Sequence, residues 1–237
     1  ALKLVQFSGT RQGMRLLDVA CGTGVVALTA SRLGAEAQGI DLTPELINRA
    51  NENAKIMELK AKFVEGDAEF LPYRENEFDI VLSQYGHMFA PRPSVVVKEL
   101  VRVLKPGGIL AFSTWPKELF MGKFFKLIES FSQPLPPEIA SPVLWGDMAV
   151  IEDRLRDHFD HIEFARDTMF APTMSPAHML KLFEKNAGPL ANLVKALADD
   201  PAKLSNLRNA ALLLIEKFFS NNFLRQDFLM TRCVKKT

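Results

Sequence analysis

The chain has 237 residues, 48% of them hydrophobic and 24% charged, enough to bury one sizeable core and near the upper end for a single domain. Its 29 Lys and Arg against 28 Asp and Glu leave a net charge of +1, so there is no general electrostatic case for a nucleic acid or an acidic membrane surface. Two cysteines, Cys21 and Cys233, cannot build a disulfide framework; with no visible signal peptide and no apolar run near the ~20 residues of a membrane helix, a cytoplasmic protein without membrane insertion is expected.

Arg15 to Ala20 reads as a strand, and Gly22-Thr-Gly24 turns it into an apolar helix that stops near Leu33-Gly34. A second strand, Ala37 to Asp41, leads to Thr43-Pro44, an N-cap followed by a proline suited to the first helical turn. That helix sets Leu46, Ile47, Ala50, Ala54 and Met57 on one face. Strands Lys62–Glu65 and Phe78–Leu82 follow, then a helix from about Ser94 to Leu104, a stop at Lys105-Pro-Gly-Gly108, and a fifth strand from Ile109 to Thr114. Strict alternation of strand and helix predicts an α/β, Rossmann-like doubly wound sheet, mostly parallel with right-handed crossovers.

Beyond residue 115 the pattern loosens. An aromatic helix (Phe120, Phe124, Phe125, Phe131) and a proline-rich loop from Gln133 to Pro137 precede a helix from Asp147 to about Phe159 and a strand, Ile162–Phe170. Residues 171–226 read as helical, with Pro176, Pro189 and Pro201 near helix starts, and Asp227–Val234 reads as the last strand. The expectation is one domain over 1–237, with a core at about 15–115 and two helical insertions, 116–146 and 171–226.

In such a sheet ligands bind beyond the carboxyl ends of the strands, where the strand order reverses. Three successive ends carry acids or glycines here: Asp18 to Gly24, Asp41, and Asp67-Ala68. A glycine-rich turn alone fits dinucleotides and other nucleosides alike. Asp18 separates the two, because it lies four residues before Gly22, where a dinucleotide would place its pyrophosphate. Two anions repel there, whereas the ammonium of S-adenosylmethionine, which has no phosphate, would be attracted and its sulfonium is not disfavoured by a nearby carboxylate. Asp41 can then accept both ribose hydroxyls, and Asp67 the adenine amino group.

The stretches LLDVACGTG (16–24), GIDLT (39–43), GDAEFLPY (66–73), FDIVLSQYGHMF (78–89) and LVRVLKPGGILAFSTW (100–115) resemble the class I S-adenosylmethionine-dependent methyltransferases, in particular the quinone-biosynthesis C-methyltransferase-like group. The resemblance covers roughly residues 15–115. It implies that Asp18, Ala20, Gly22, Thr23 and Gly24 form the loop at the methionine end, with Asp41 the ribose clamp and Leu42 packed on the adenine. It places Asp67 and Ala68 at the polar edge of the adenine and Ser83 at the methionine end. It also implies an antiparallel last strand. Ala20 departs from the pattern, which commonly has Gly there; a methyl is tolerated if the backbone keeps a negative φ. The chain starts on Ala and has a shorter leader than many relatives, which points to a trimmed start or a more open site.

The implied chemistry is direct methyl transfer from sulfur to an O, N or C atom of a small-molecule acceptor. His87, four residues beyond Ser83, is the candidate general base, since an unperturbed imidazole titrates near 6.5; no metal site is expected. Cys21, in a glycine loop with no His nearby in sequence, reads as a packing residue. The insertions become candidate lids, with Trp115, Phe120, Met121, Phe124 and Trp145 as candidate pocket walls. They hold eight of the 18 phenylalanines, too slight an excess to establish an apolar acceptor. No nucleic acid is expected as acceptor: charge is balanced, and the site after the fourth strand reads Ser83-Gln-Tyr-Gly86 rather than Asn-Pro-Pro-Tyr. Two alternatives stay open. A nicotinamide-dependent oxidoreductase would use Gly22, Gly24 and Asp41 but leaves Asp18 and Asp67 without a role, and an S-adenosylmethionine-binding subunit without activity would keep the motifs. The sequence leaves the oligomeric state undetermined.

Overall fold

A computed structural model of the chain describes residues 1–134, 136 and 139–237; part of the expected proline-rich loop, at Leu135 and Pro137, lies outside them. The chain folds into two compact units. The first comprises Ala1–Thr114, Glu138–Ala165 and Leu229–Thr237, and the second Trp115–Pro137 and Arg166–Phe228.

The first unit opens with a short helix, α1 (Leu2–Phe7), which buries Leu4 and Val5 and has no counterpart in the sequence reading. Alternation then begins: β1 (Arg15–Val19), α2 (Val25–Arg32), β2 (Glu36–Asp41), α3 (Pro44–Ile56), β3 (Lys62–Glu65), β4 (Phe78–Gln84), α4 (Pro93–Val103) and β5 (Leu104–Thr114). The inner strands are apolar on both faces, as a sheet covered by helices on both sides requires; Leu16, Leu17 and Val19 of β1 and Ile80, Val81 and Leu82 of β4 are buried. One face packs Leu16, Ile80, Leu82 and Ala111 against Val26, Ala27 and Ala30 of α2 and Ile47, Ala50 and Ala54 of α3. Met57, expected on that α3 face, is exposed past the helix end.

Strand β5 begins earlier than expected. Leu104 already pairs with Phe78, and Lys105-Pro-Gly-Gly108 is accommodated by a register shift before Ile80 pairs with Ile109. A 3-10 turn (Pro142–Gly146) precedes α6 (Met148–Leu155), which is capped by the Asp147 side chain accepting from the Ala149 N–H and ends before the expected Phe159, where a strand begins instead. Two long strands, β6 (Phe159–Pro172) and β8 (Phe223–Lys235), contribute residues to both units. The sheet order is β3-β2-β1-β4-β5-β8-β6. Strands β1 to β5 pair in parallel, and β8 runs antiparallel to β5 from Thr114↔Leu229 to Ile109↔Val234, which bears out the expected sheet.

The second unit is mainly helical: α5 (Phe120–Phe131), α7 (Pro176–Asn186), α8 (Gly188–Ala196) and α9 (Pro201–Glu216). Pro176, Pro189 and Pro201 all fall in first turns. The Ser175 and Asp200 side chains cap α7 and α9 by accepting from the His178 and Lys203 N–H groups. Phe120, Phe124, Phe183 and Phe218 pack in stacked and tilted pairs with ring centroids 5.0–6.1 Å apart. Phe120 and Phe124, candidate pocket walls by sequence, are thus buried core of this unit. After α9 the chain makes a hairpin, β7 (Phe219–Ser220) to β8, through Asn221 and Asn222, both at positive φ.

Candidate functional site

The strand order reverses between β1 and β4, and a cleft of about 550 Å³ opens at the carboxyl ends of the strands there, within the roughly 300–1,000 Å³ usual for small-molecule sites. Its floor and one wall come from the loops after β1, β2 and β3, with Ala20, Gly22, Asp41, Leu42, Asp67 and Ala68 all lining it. The sequence reading brought these six together. The facing wall, Gln84 to Gly86 and Phe89 to Pro91, it did not find. A depression of about 530 Å³ at the amino ends of β2 and β3 mixes Glu36 and Glu58 with Lys60 and Lys62; it lies away from the switch point.

The turn after β1 is built from left-handed residues, with φ of 55° at Ala20, 54° at Gly22 and 83° at Gly24. This corrects the expectation that Ala20 keeps a negative φ. The left-handed step ends β1 abruptly, so that the Cys21 N–H reaches the Ile40 carbonyl at 2.9 Å and the Gly22 N–H reaches the Asp41 carboxylate. At Gly24, which starts α2, a Cβ would lie 2.6 Å from the Phe63 ring.

Asp41 is the hub of the cleft. One of its oxygens accepts from the Gly22 N–H at 2.8 Å and the other from the Thr43 N–H at 3.0 Å. Each carboxylate oxygen has two lone-pair sites, so both keep one free to accept from a ligand, and their geometry suits a pair of neighbouring hydroxyls. Leu42 beside it is 67% exposed, an apolar side chain presented to the cleft. Asp67 is exposed, and one of its oxygens accepts from the Glu69 N–H at 2.8 Å. The sequence reading missed the brace behind this wall. The buried Glu69 carboxylate accepts from the Arg92 backbone N–H at 2.6 Å and from its guanidinium at 2.6 and 2.8 Å, tying the loop after β3 to the start of α4. Partners 23 residues apart in irregular segments leave no periodic signal.

Four expected site residues lie behind or beside the cleft rather than lining it. Asp18 is 1% exposed and points to the α2 face of the sheet, where one oxygen accepts from the Ala27 N–H at 3.1 Å. Its other oxygen is buried and has no hydrogen-bond partner. Burial pushes its carboxyl up to about 8, with the Ala27 N–H opposing and the Asp41 charge adding to the shift. Thr23 is exposed, and its carbonyl accepts from the Asn53 side chain. Gly24 is buried at the helix start. The buried Ser83 donates to the Val19 carbonyl at 2.7 Å and accepts from the His87 N–H at 3.1 Å, stitching the end of β1 to the loop after β4.

His87, the candidate base, does not line the cleft, although Gly86 and Phe89 on either side of it do. Its ring is 1% exposed, set between Phe112 and Trp145 with centroids 4.6 Å from each. Neither ring nitrogen has a hydrogen-bond partner. Burial, and secondarily the charge of Arg154, pulls its pKa down to about 3. The imidazole is therefore neutral across the physiological range but has no open path along which to take a proton. The Arg154 guanidinium lies 4.4 Å from the Trp145 ring centroid, so Trp145 is packed inside the first unit. Cys21 is buried against Gly39 and its thiol is held protonated, chiefly by burial and then by Asp18 and Asp41; both cysteines are free. Among the described residues no group of three or more His, Cys, Asp or Glu side chains could hold a metal ion, and no helix is long and apolar enough to cross a membrane.

Residues 17–112 match the family model described as a methyltransferase domain. An uncharacterized protein of Mycobacterium tuberculosis (strain H37Rv) is 34% identical over 228 residues, 96% of this chain and 83% of that protein. The demethylmenaquinone methyltransferase of Staphylococcus aureus (strain MRSA252) is 39% identical over 111 residues, 46% of each chain. Among solved structures, phosphoethanolamine N-methyltransferase 2 of Haemonchus contortus, in complex with S-adenosyl-L-methionine, has a similar fold. Its TM-score is 0.62 at 18% identity, over 100% of this chain and 52% of that one.

Proposed function

We propose a small-molecule acceptor for this chain, which belongs to the class I S-adenosylmethionine-dependent methyltransferases and uses S-adenosyl-L-methionine as its methyl donor. Membership sets aside the nicotinamide-dependent alternative. The observation that carries the assignment of the cofactor to this cleft is the Asp41 carboxylate, fixed by two backbone N–H groups and lining the cleft.

The bound cofactor supplies an electrophilic methyl group on a sulfonium. In our reading Asp41 accepts the two ribose hydroxyls, Leu42 covers one adenine face, and Asp67 with Ala68 meets the polar edge of the adenine. Ala20, Gly22, Thr23 and Gly24 shape the loop at the methionine end, while Ser83 and Asp18 hold that loop from behind. The orphaned buried oxygen of Asp18 suits a nearby positive charge, which would favour its ionised form. We assign no base role to His87. Positioning of a methyl group that is already electrophilic can itself supply several kcal/mol of the acceleration.

The acceptor atom, O, N or C, is left to experiment. A balanced net charge of +1 supports a small molecule over a nucleic acid, and two buried, free cysteines support work in the cytoplasm. The expected lid role of 116–146 and 171–226 is carried as part of this proposal. Acceptor choice then falls to those segments.

Calorimetry at several pH values tests the cofactor assignment. S-adenosylhomocysteine is expected to bind and NAD(H) to give no heat of binding. Asp18 holds its proton in the free protein up to about pH 8, so binding that brings the ligand's ammonium group near it at pH 7 should release a proton, and affinity should rise from pH 6 to pH 8. Without ligand, stability should fall as pH climbs from about 4 toward 8, since the unfolded chain releases this proton and the folded chain keeps it. Asp18→Asn should flatten both profiles. Binding of NAD(H) alone contradicts the assignment, and a pH-independent affinity contradicts the role of Asp18.

A further inference from the structure

We propose that Ala20 and Gly86 are a size-matched pair that locks the loop after β1 against the loop after β4, and that Gly86 is thereby a positioning residue for the cofactor. The inference rests on the reading of the cleft as the cofactor site. Gly86 has φ −92° and ψ −48°, a conformation open to any residue, so the backbone does not demand glycine there. Space does. A Cβ at this position would overlap the Ala20 methyl and lie 2.7 Å from the Ala20 carbonyl oxygen.

Ala20 holds φ +55°, a region costly to a residue with a side chain. Its methyl therefore stands against Gly86 at the expense of backbone strain, and both residues line the cleft. The segments flanking the contact are fixed as well, since the Ser83 hydroxyl bridges the Val19 carbonyl and the His87 N–H. Two residues past Ala20, the Gly22 N–H is bonded to Asp41. Forcing the loops apart at Gly86 must therefore displace Gly22 and disturb the carboxylate assigned to the ribose hydroxyls. The strain at Ala20 and the bare Gly86 are two halves of one contact.

The test compares four proteins, wild type, Ala20→Gly, Gly86→Ala and the double variant, by calorimetry with S-adenosylhomocysteine and by thermal unfolding. Gly86→Ala should weaken binding at least about 10-fold and lower the midpoint of unfolding. Ala20→Gly lifts the strain at φ +55° but also removes the methyl contact, so it should shift affinity less than Gly86→Ala does. Adding Ala20→Gly to Gly86→Ala should regain at least threefold in affinity together with part of the lost stability. Recovery is partial because the Ala20 carbonyl stays in place. The proposal is overturned if Gly86→Ala binds within twofold of wild type, or if Ala20→Gly restores nothing. Should Gly86→Ala fail to fold, recovery of a folded double variant supports the pair and its absence refutes it. The underlying site reading fails differently: wild type would not bind, or Asp41→Ala would bind like wild type, while the coupling between positions 20 and 86 in thermal unfolding would persist.

Discussion

Asp41→Ala should weaken S-adenosylhomocysteine binding at least about 100-fold, the largest single-residue effect expected on the cofactor. Hydrogen bonds to a charged group are worth about 1.5–3 kcal/mol each, the carboxylate is open to two ligand donors, and each ~1.4 kcal/mol is tenfold in affinity. The substitution also removes the acceptor from the Gly22 and Thr43 N–H groups, so the loops after β1 and β2 lose the group that holds them together. Stability should fall by only about 1–2 kcal/mol, because these N–H groups sit at the cleft, where water can replace the lost acceptor. Asp41→Asn separates the two contributions. It keeps one carbonyl oxygen to accept but turns an NH₂ toward the other backbone donor, and an intermediate loss of about 10-fold is expected. Affinity measured by calorimetry and stability by urea unfolding read the two effects independently. An Asp41→Ala protein that binds within about threefold of wild type would remove Asp41 from the cofactor site.

Phe120→Ala should cost about 3–5 kcal/mol of stability, as large-to-small changes at fully buried phenylalanines do. Phe120 is 0% exposed and touches Phe124, Phe183 and Phe218, so truncation opens a void shared by α5, α7 and the segment after α9. The phenylalanines there are core, and the cleft-lining residues all belong to the first unit. The variant should therefore bind S-adenosylhomocysteine within about twofold of wild type at temperatures where it stays folded. Phe170→Ala is the control. Phe170 is 60% exposed, and a surface change of this kind usually stays within about 0.5 kcal/mol. A Phe120→Ala protein as stable as wild type would contradict the reading of this cluster as core.

The first 115 residues were legible because alternation of strand and helix is written in local periodicity. Arg15, Asp41, Lys62, Glu65 and Thr114 bound strands where the pattern put them, and the acids at three strand ends did converge on one sheet end. Side-chain direction beyond a strand end was harder to read. Asp18 and Asp41 look alike in the sequence, yet one points into the α2 face and the other into the cleft, a matter of strand parity at a turn whose geometry the sequence does not state. Ala20 misled for a related reason. Its residue type argues against positive φ, and the ladder bond from Cys21 to Ile40 that accompanies the left-handed step leaves no mark in the local sequence.

His87 illustrates a different limit. Its position after β4 was right, but its burial depends on Phe112 and on Trp145, 58 residues further along the chain, which no local pattern connects. The same holds for the Glu69–Arg92 brace. Some misses did carry a local signal. Asn221-Asn222 before an alternating segment marks a two-residue hairpin turn, and reading it would have started the last strand at Phe223 instead of Asp227.

The central claim, methyl transfer to a small molecule from a cofactor held by Asp41, is tested most directly by incubating the protein with methyl-labelled S-adenosylmethionine and an extract separated into small molecules, protein and nucleic acid. Label is expected in the small-molecule fraction with the wild type, and at least about 100-fold less with Asp41→Ala at cofactor concentrations well below saturation. Label confined to the protein or nucleic-acid fraction, or equal transfer by the two proteins, would contradict it.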